Sequence, residues 1–95
     1  MGKKVAVVIK DKERQYEGLR SSLGLLLEDH QIDMFVLNHE VDMTEEYFDN
    51  MGFIDEMGGS RFSNVPANAE KHGFQLVSLE EVSRKLGDHE IVIPF

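Results

Sequence analysis

Val5-Ala6-Val7-Val8-Ile9, inside the opening MGKKVAVVIK (residues 1–10), is an unbroken apolar run dominated by β-branched side chains. A strand with one face in water alternates apolar and polar residues. A continuous run belongs to a strand buried on both faces, the pattern of a parallel sheet with helices on either side. The charged stretch Lys10 to Gln15 reads as a loop. From Tyr16 to His30 the apolar residues Tyr16, Leu19, Leu23, Leu26 and Leu27 recur at helical spacing, with Arg14, Glu17 and Arg20 on other faces. Gly18 and Gly24 within this helix each cost about 1 kcal/mol relative to Ala. Close approach of the helix to the sheet would offset that cost.

The same alternation continues outward. Ile32 to Leu37 (IDMFVL) reads as a second strand, followed by the polar turn Asn38-His39-Glu40. Asp42 or Thr44 can cap the next helix, with Glu45 and Glu46 favourably placed near its positive end. That helix carries Tyr47, Phe48, Met51, Ile54 and Met57 and stops at Gly58-Gly59, and Gly52 is a place where it could break. A short strand over Ser60 to Asn64, a helix from Pro66 to His72 and a strand at Phe74 to Val77 follow. Ser78-Leu79-Glu80-Glu81 has the S-x-x-E form of a capping box, and Gly87 after Arg84-Lys85 ends the last helix. Glu90 to Phe95 (EIVIPF) is the fifth strand. Five strands alternating with four helices predict a single domain over residues 1–95, a three-layer α/β/α sandwich with a mainly parallel sheet.

Composition narrows the function classes. A formal charge of −8 repels nucleic-acid phosphates, whose affinity for proteins comes largely from Lys and Arg. With no cysteine in the chain, disulfides, thiolate metal sites and thiol nucleophiles are excluded. The apolar run of five residues is short of the roughly 7–15 of a signal h-region and the about 20 of a membrane span. Ala6 stands where a myristoylation signal carries Ser or Thr. The expectation is a soluble, cytoplasmic protein without a cofactor.

GLRSSLGLLLEDHQIDMFVLNHEV (residues 18–41) and the segment from Phe62 to Gly73 followed by SLEEVSRKLGDHEIVIPF (residues 78–95) resemble the two halves of DsrE/DsrF-like proteins, with Asp88 and Phe95 in the family's final turn and strand. That resemblance implies an α/β fold and a tendency to form homo- or hetero-oligomers. Sulfur-relay members of the family carry a persulfide on a cysteine after the third strand. Counting back from Gly73 puts Val65 in that place, and valine cannot hold a persulfide. The resemblance therefore implies a member without the reactive thiol, either a binding protein of unassigned role or an accessory subunit that uses a partner's cysteine.

Candidate sites follow from the elements. The crevice outside the carboxyl ends of parallel strands is where α/β folds bind ligands. At the third strand, Ser63, Asn64, Val65 and Asn68 surround a helix start whose free amides can hold a carboxylate or phosphate. The same residues also make an ordinary helix cap, with Pro66 fixing the turn. At the second strand, Asn38 and His39 lie on the same edge, and His39 could act as an acid–base group tuned by Glu40 or Asp42. A polar turn is the alternative. His30, His39, His72 and His89 lack metal-ligand spacing, so no metal site is expected. On the Tyr47–Met57 helix, Tyr47, Phe48, Met51, Phe53, Ile54 and Met57 sweep roughly 220° of arc, where packing on one sheet needs little more than 100°. An oligomer interface would cover the excess, or the helix breaks at Gly52 and both halves pack inside. The expected function is a non-catalytic oligomer that binds a small ligand or protein partner. A small enzyme using His39 is the alternative.

Overall fold

A computed structural model describes residues 2–95 of the chain. Strand β1 (Lys4–Ile9) passes through a 3-10 turn (Lys12–Arg14) into helix α1 (Gln15–Leu27), and β2 (Gln31–Val36) leads to α2 (Glu45–Glu56). Then come β3 (Ser60–Ser63), α3 (Pro66–His72), β4 (Gln75–Leu76), α4 (Leu79–Leu86) and β5 (Ile91–Pro94). The five strands form one sheet in the order β4-β3-β2-β1-β5, and every neighbouring pair is parallel. The expected α/β sandwich is thus present, with a sheet that is wholly rather than mainly parallel.

Alternation along the strands sorts the core into two faces. Val5, Val7, Ile9, Ile32, Met34 and Val36 meet Leu19 and Leu26 of α1 and Tyr47, Met51 and Ile54 of α2. Ala6, Val8, Phe35, Leu37 and Phe62 point the other way and pack with Val77 and with Val82 and Leu86 of α4. Strand order explains the asymmetry. The first three crossovers step steadily from β1 toward β4, whereas the fourth returns past β1 to β5. Right-handed connection puts that last helix on the opposite face. One eight-residue helix therefore covers the face that α1 and α2 do not.

Several boundaries differ from the sequence reading, each for a local reason. Lys10 to Gln15 is not a plain loop: the Asp11 carboxylate accepts the Glu13 N–H and starts the 3-10 turn. Helix α1 stops at Leu27 rather than His30, because Asp29 turns to φ 69°. Thr44, not Asp42, caps α2 by accepting the Tyr47 N–H. Helix α2 runs unbroken through Gly52. Strand β4 keeps two residues of the four expected, paired only to β3 at the sheet edge. The Ser78–Glu81 capping box is complete in both directions, at 3.1 Å each way. The Ser78 N–H and hydroxyl, aided by Arg84 and Lys85, hold the Glu81 carboxyl below its ordinary range.

A buried pair fastens the start of β5 under the sheet. His89 Nδ1–H donates to the Lys85 carbonyl at 2.6 Å, and Nε2 lies 2.7 Å from the Asp33 carboxylate of β2. The His89 side chain is 1% exposed and edge-on to Phe35.

The two helix glycines separate cleanly. A Cβ on Gly18 would stand 2.3 Å from Cγ1 of Ile9, so only a bare backbone lets α1 seat on β1. A Cβ on Gly24 would meet nothing within 4 Å, so close approach does not account for that glycine. Gly18→Ala is expected to destabilise the protein by about 1–3 kcal/mol through overpacking. Gly24→Ala should stabilise it by about 0.5–1 kcal/mol by limiting the unfolded chain. Urea unfolding of both variants checks the opposite signs.

Candidate functional site

The six residues marked in the sequence, Asn38, His39, Ser63, Asn64, Val65 and Asn68, do lie together. They sit where β2 and β3 end, and one side chain organises them. Asn68 of α3 is fully buried. Its Oδ1 accepts the Val41 N–H at 2.9 Å, and its Nδ2 donates to the His39 carbonyl at 2.9 Å and to Ser63 Oγ at 3.0 Å. Ser63, also fully buried, accepts the Val65 N–H at 3.1 Å. Above them Asn64 and Asn38 pair: the Asn38 N–H donates to Asn64 Oδ1 at 2.8 Å, and Asn64 Nδ2 donates to Asn38 Oδ1 at 2.9 Å. Asn38 adopts φ 67°, a left-handed conformation that asparagine tolerates better than most residues.

This arrangement corrects both readings of the third-strand junction. Neither Ser63 nor Asn64 caps α3. The capping position is Val65, which supplies no side-chain acceptor. The Asn68 amide is committed to backbone and to Ser63, and the Asn64 amide bonds Asn38, so neither is turned outward toward an anion. Val65 itself is half-buried at the start of α3.

His39 is likewise turned inward. Its Nδ1 lies 2.9 Å from the Leu37 carbonyl, which can only accept, so Nδ1 carries the proton. The remaining ring nitrogen, Nε2, is enclosed and has no hydrogen-bond partner among the described residues. Glu40 pairs with Lys71 at 3.4 Å and Asp42 with Lys12 at 3.2 Å. The carboxylates proposed to tune His39 are engaged elsewhere, so the acid–base constellation is not assembled.

Helix α2 divides the six residues assigned to an interface. Tyr47, Met51 and Ile54 are buried against the sheet and cannot face a partner. The Tyr47 hydroxyl is enclosed with no hydrogen-bond partner among the described residues, and burial pushes its phenol well above the ordinary range. Phe48, Phe53 and Met57 are exposed.

A more apolar opening lies elsewhere, at the carboxyl ends of β1, β2 and β5, where the direction of winding reverses. Such a reversal is the usual ligand crevice of an open α/β sheet. A groove of about 400 Å³ runs there between the sheet and α4. Val8, Leu37, Val82, Leu86, Val92 and Pro94 line it, and the exposed Lys10, Asn38, Leu79 and Ser83 border it. Lys10 forms no ion pair among the described residues. The sequence carried a partial signal, since Leu79, Val82, Ser83 and Leu86 share one face of α4 by i, i+3, i+4, i+7 spacing. The strand order that sets this face beside β1 and β5 had none.

Among the described residues no three His, Asp or Glu side chains come together as metal ligands. No helix among them is long and apolar enough to cross a membrane. A scan of protein-family models and searches of curated proteins and solved structures found nothing that matches this chain.

Asn68→Ala leaves the Val41 N–H and His39 carbonyl without partners in a buried place and is expected to destabilise the fold by about 2–4 kcal/mol. Asn68→Asp, which sets a carboxylate oxygen against the His39 carbonyl, should be no better tolerated at neutral pH. Urea unfolding would show both, and stability unchanged in Asn68→Ala would contradict the network.

Proposed function

We propose that this protein is a non-enzymatic binding module that takes a small, mainly apolar molecule with one anionic end into the groove between α4 and the sheet. The observation that carries the reading is the position of an apolar groove at the winding reversal, with Lys10 at its border. Ligand pockets are typically apolar with few polar groups, and those few set orientation. A lysine ammonium beside such a groove attracts a carboxylate or sulfonate. The non-enzymatic part rests on the polar loops, where Asn68 and Ser63 bond to the loop backbone and to each other, and on the inward-turned His39. Cytoplasmic action belongs to the same proposal, with an acidic, cysteine-free chain as its support. The accessory sulfur-relay role rests on the DsrE-like resemblance alone.

The probe 8-anilinonaphthalene-1-sulfonate combines fused rings with a sulfonate. It should bind the folded protein saturably with enhanced fluorescence. Ser83→Trp fills the groove from the exposed side of α4 and should weaken binding about tenfold, while Lys10→Glu should weaken it by less, as expected for one partly solvated charge. Fluorescence insensitive to both substitutions would defeat the proposal.

Homo-oligomer formation is a second reading, favoured by the β5 edge. Strand IVIP has no charged residue, and Ile91 and Val92 are exposed. The Glu90 N–H bonds to the Lys4 carbonyl of β1. Alternation then turns the Ile91 and Ile93 backbone groups outward. An unpaired apolar edge is a template for strand pairing, and two copies related by a two-fold axis would pair antiparallel. Sedimentation should show a dimer that Ile91→Lys dissociates. A monomer across a wide concentration range would rule it out.

A further inference from the structure

We propose that the outer face of α2 docks a basic amphipathic helix of a protein partner. This surface lies on the opposite side of the sheet from the α4 groove, and the inference is independent of the groove's ligand.

Tyr47, Met51 and Ile54 occupy the inner face of α2, so its outer face should be polar. Instead it carries Phe48 and Phe53, 61% and 52% exposed. Five residues apart on a helix, they stand about 140° from each other around the axis. They form two aromatic walls with Gly52 between them. A Cβ on Gly52 would meet nothing within 4 Å, so the floor between the walls is open. A hollow of about 340 Å³ results, with Asp49 and Glu56 beside the two rings. A second, wider hollow shares Asp49 and Phe53 and extends the surface to Tyr16 and Glu45. The two exposed rings and Gly52, with the carboxylates of Asp49 and Glu56 between the rings, make a mixed apolar and acidic trough on the outer face.

Charge selects the occupant. Helix α2 holds five carboxylates (Glu45, Glu46, Asp49, Asp55 and Glu56) and no Lys or Arg. Asp55 is held bidentately by Arg61, and Glu46 pairs with Arg20 of α1. Glu45, Asp49 and Glu56 form no ion pair among the described residues. A second copy of a chain with formal charge −8 would bring like carboxylates together across this face. A helix with Leu or Phe on one side and Lys or Arg flanking it fits both features. Its apolar side chains fill the trough over Gly52, and its cations meet Asp49, Glu56 and the faces of the two rings.

The probe is a fluorescein-labelled amphipathic Leu/Lys helical peptide, titrated by anisotropy against the whole protein. Two controls separate face from charge: the Leu/Glu counterpart, and a scrambled Leu/Lys peptide of identical composition. The expected result is saturable binding of the amphipathic Leu/Lys peptide alone, weakening as NaCl is raised. Phe48→Ala with Phe53→Ala should weaken binding about tenfold or more, as for aromatic anchors at an interface. Gly52→Trp, which plugs the trough, should do the same. Asp49→Asn with Glu56→Gln should weaken it by less and flatten the salt dependence. These side chains are exposed, so thermal unfolding of each variant reports that the fold is kept. Ser83→Trp in the α4 groove should leave peptide binding unchanged. Absence of binding, equal binding of the scrambled peptide, or indifference to the loss of both phenylalanines would overturn the proposal.

Discussion

The carboxyl edge of the sheet depends on the Asn68 side-chain amide. Two loops leave β2 and β3 there, and both must leave their backbone groups somewhere other than water. Asn68 accepts from Val41, donates to His39 and holds Ser63, which in turn accepts from Val65. A buried amide satisfied in this way stabilises modestly, but leaving any of its partners bare costs about 1–3 kcal/mol each. The consequence for function is direct. Polar groups that a sequence reading would assign to a ligand are the ones that close the loops.

With that edge closed, the more open part of the sheet is on its other face. Helices α1 and α2 cover one side of the sheet, and α4 alone serves the other. A single short helix leaves the ends of β1, β2 and β5 partly open, and an apolar groove bordered by Lys10 follows. The outer side of α2 is a separate matter, since its two exposed phenylalanines lie among carboxylates rather than against the sheet.

Much of the fold was readable because each signal was local. The run Val5 to Ile9 has the β-branched pattern of a strand buried on both faces, and Ser78 with Glu81 marked a helix start that the structure reproduces in both hydrogen bonds. Convergence of Asn38, His39, Ser63, Asn64 and Asn68 was readable too, because parallel strands bring their carboxyl ends to one edge. Their roles were not. Whether Asn68 turns to a ligand or to the Val41 N–H depends on a loop conformation that no spacing encodes. The α4 groove was illegible for another reason: it exists because β5 returns beside β1, and strand order leaves no periodic trace. On α2, the arc of apolar residues was visible, but only packing divides Tyr47, Met51 and Ile54 from Phe48 and Phe53.

Amide hydrogen exchange at Val41 tests the central claim most directly. Val41 lies outside any helix or strand, and its N–H has the Asn68 side chain as acceptor. If the network closes the sheet edge, that amide should exchange as slowly as those of β1 and β2, which open only with global unfolding. Exchange at the rate of a free loop would show that the edge is open, and the case for placing the site in the α4 groove would fall with it.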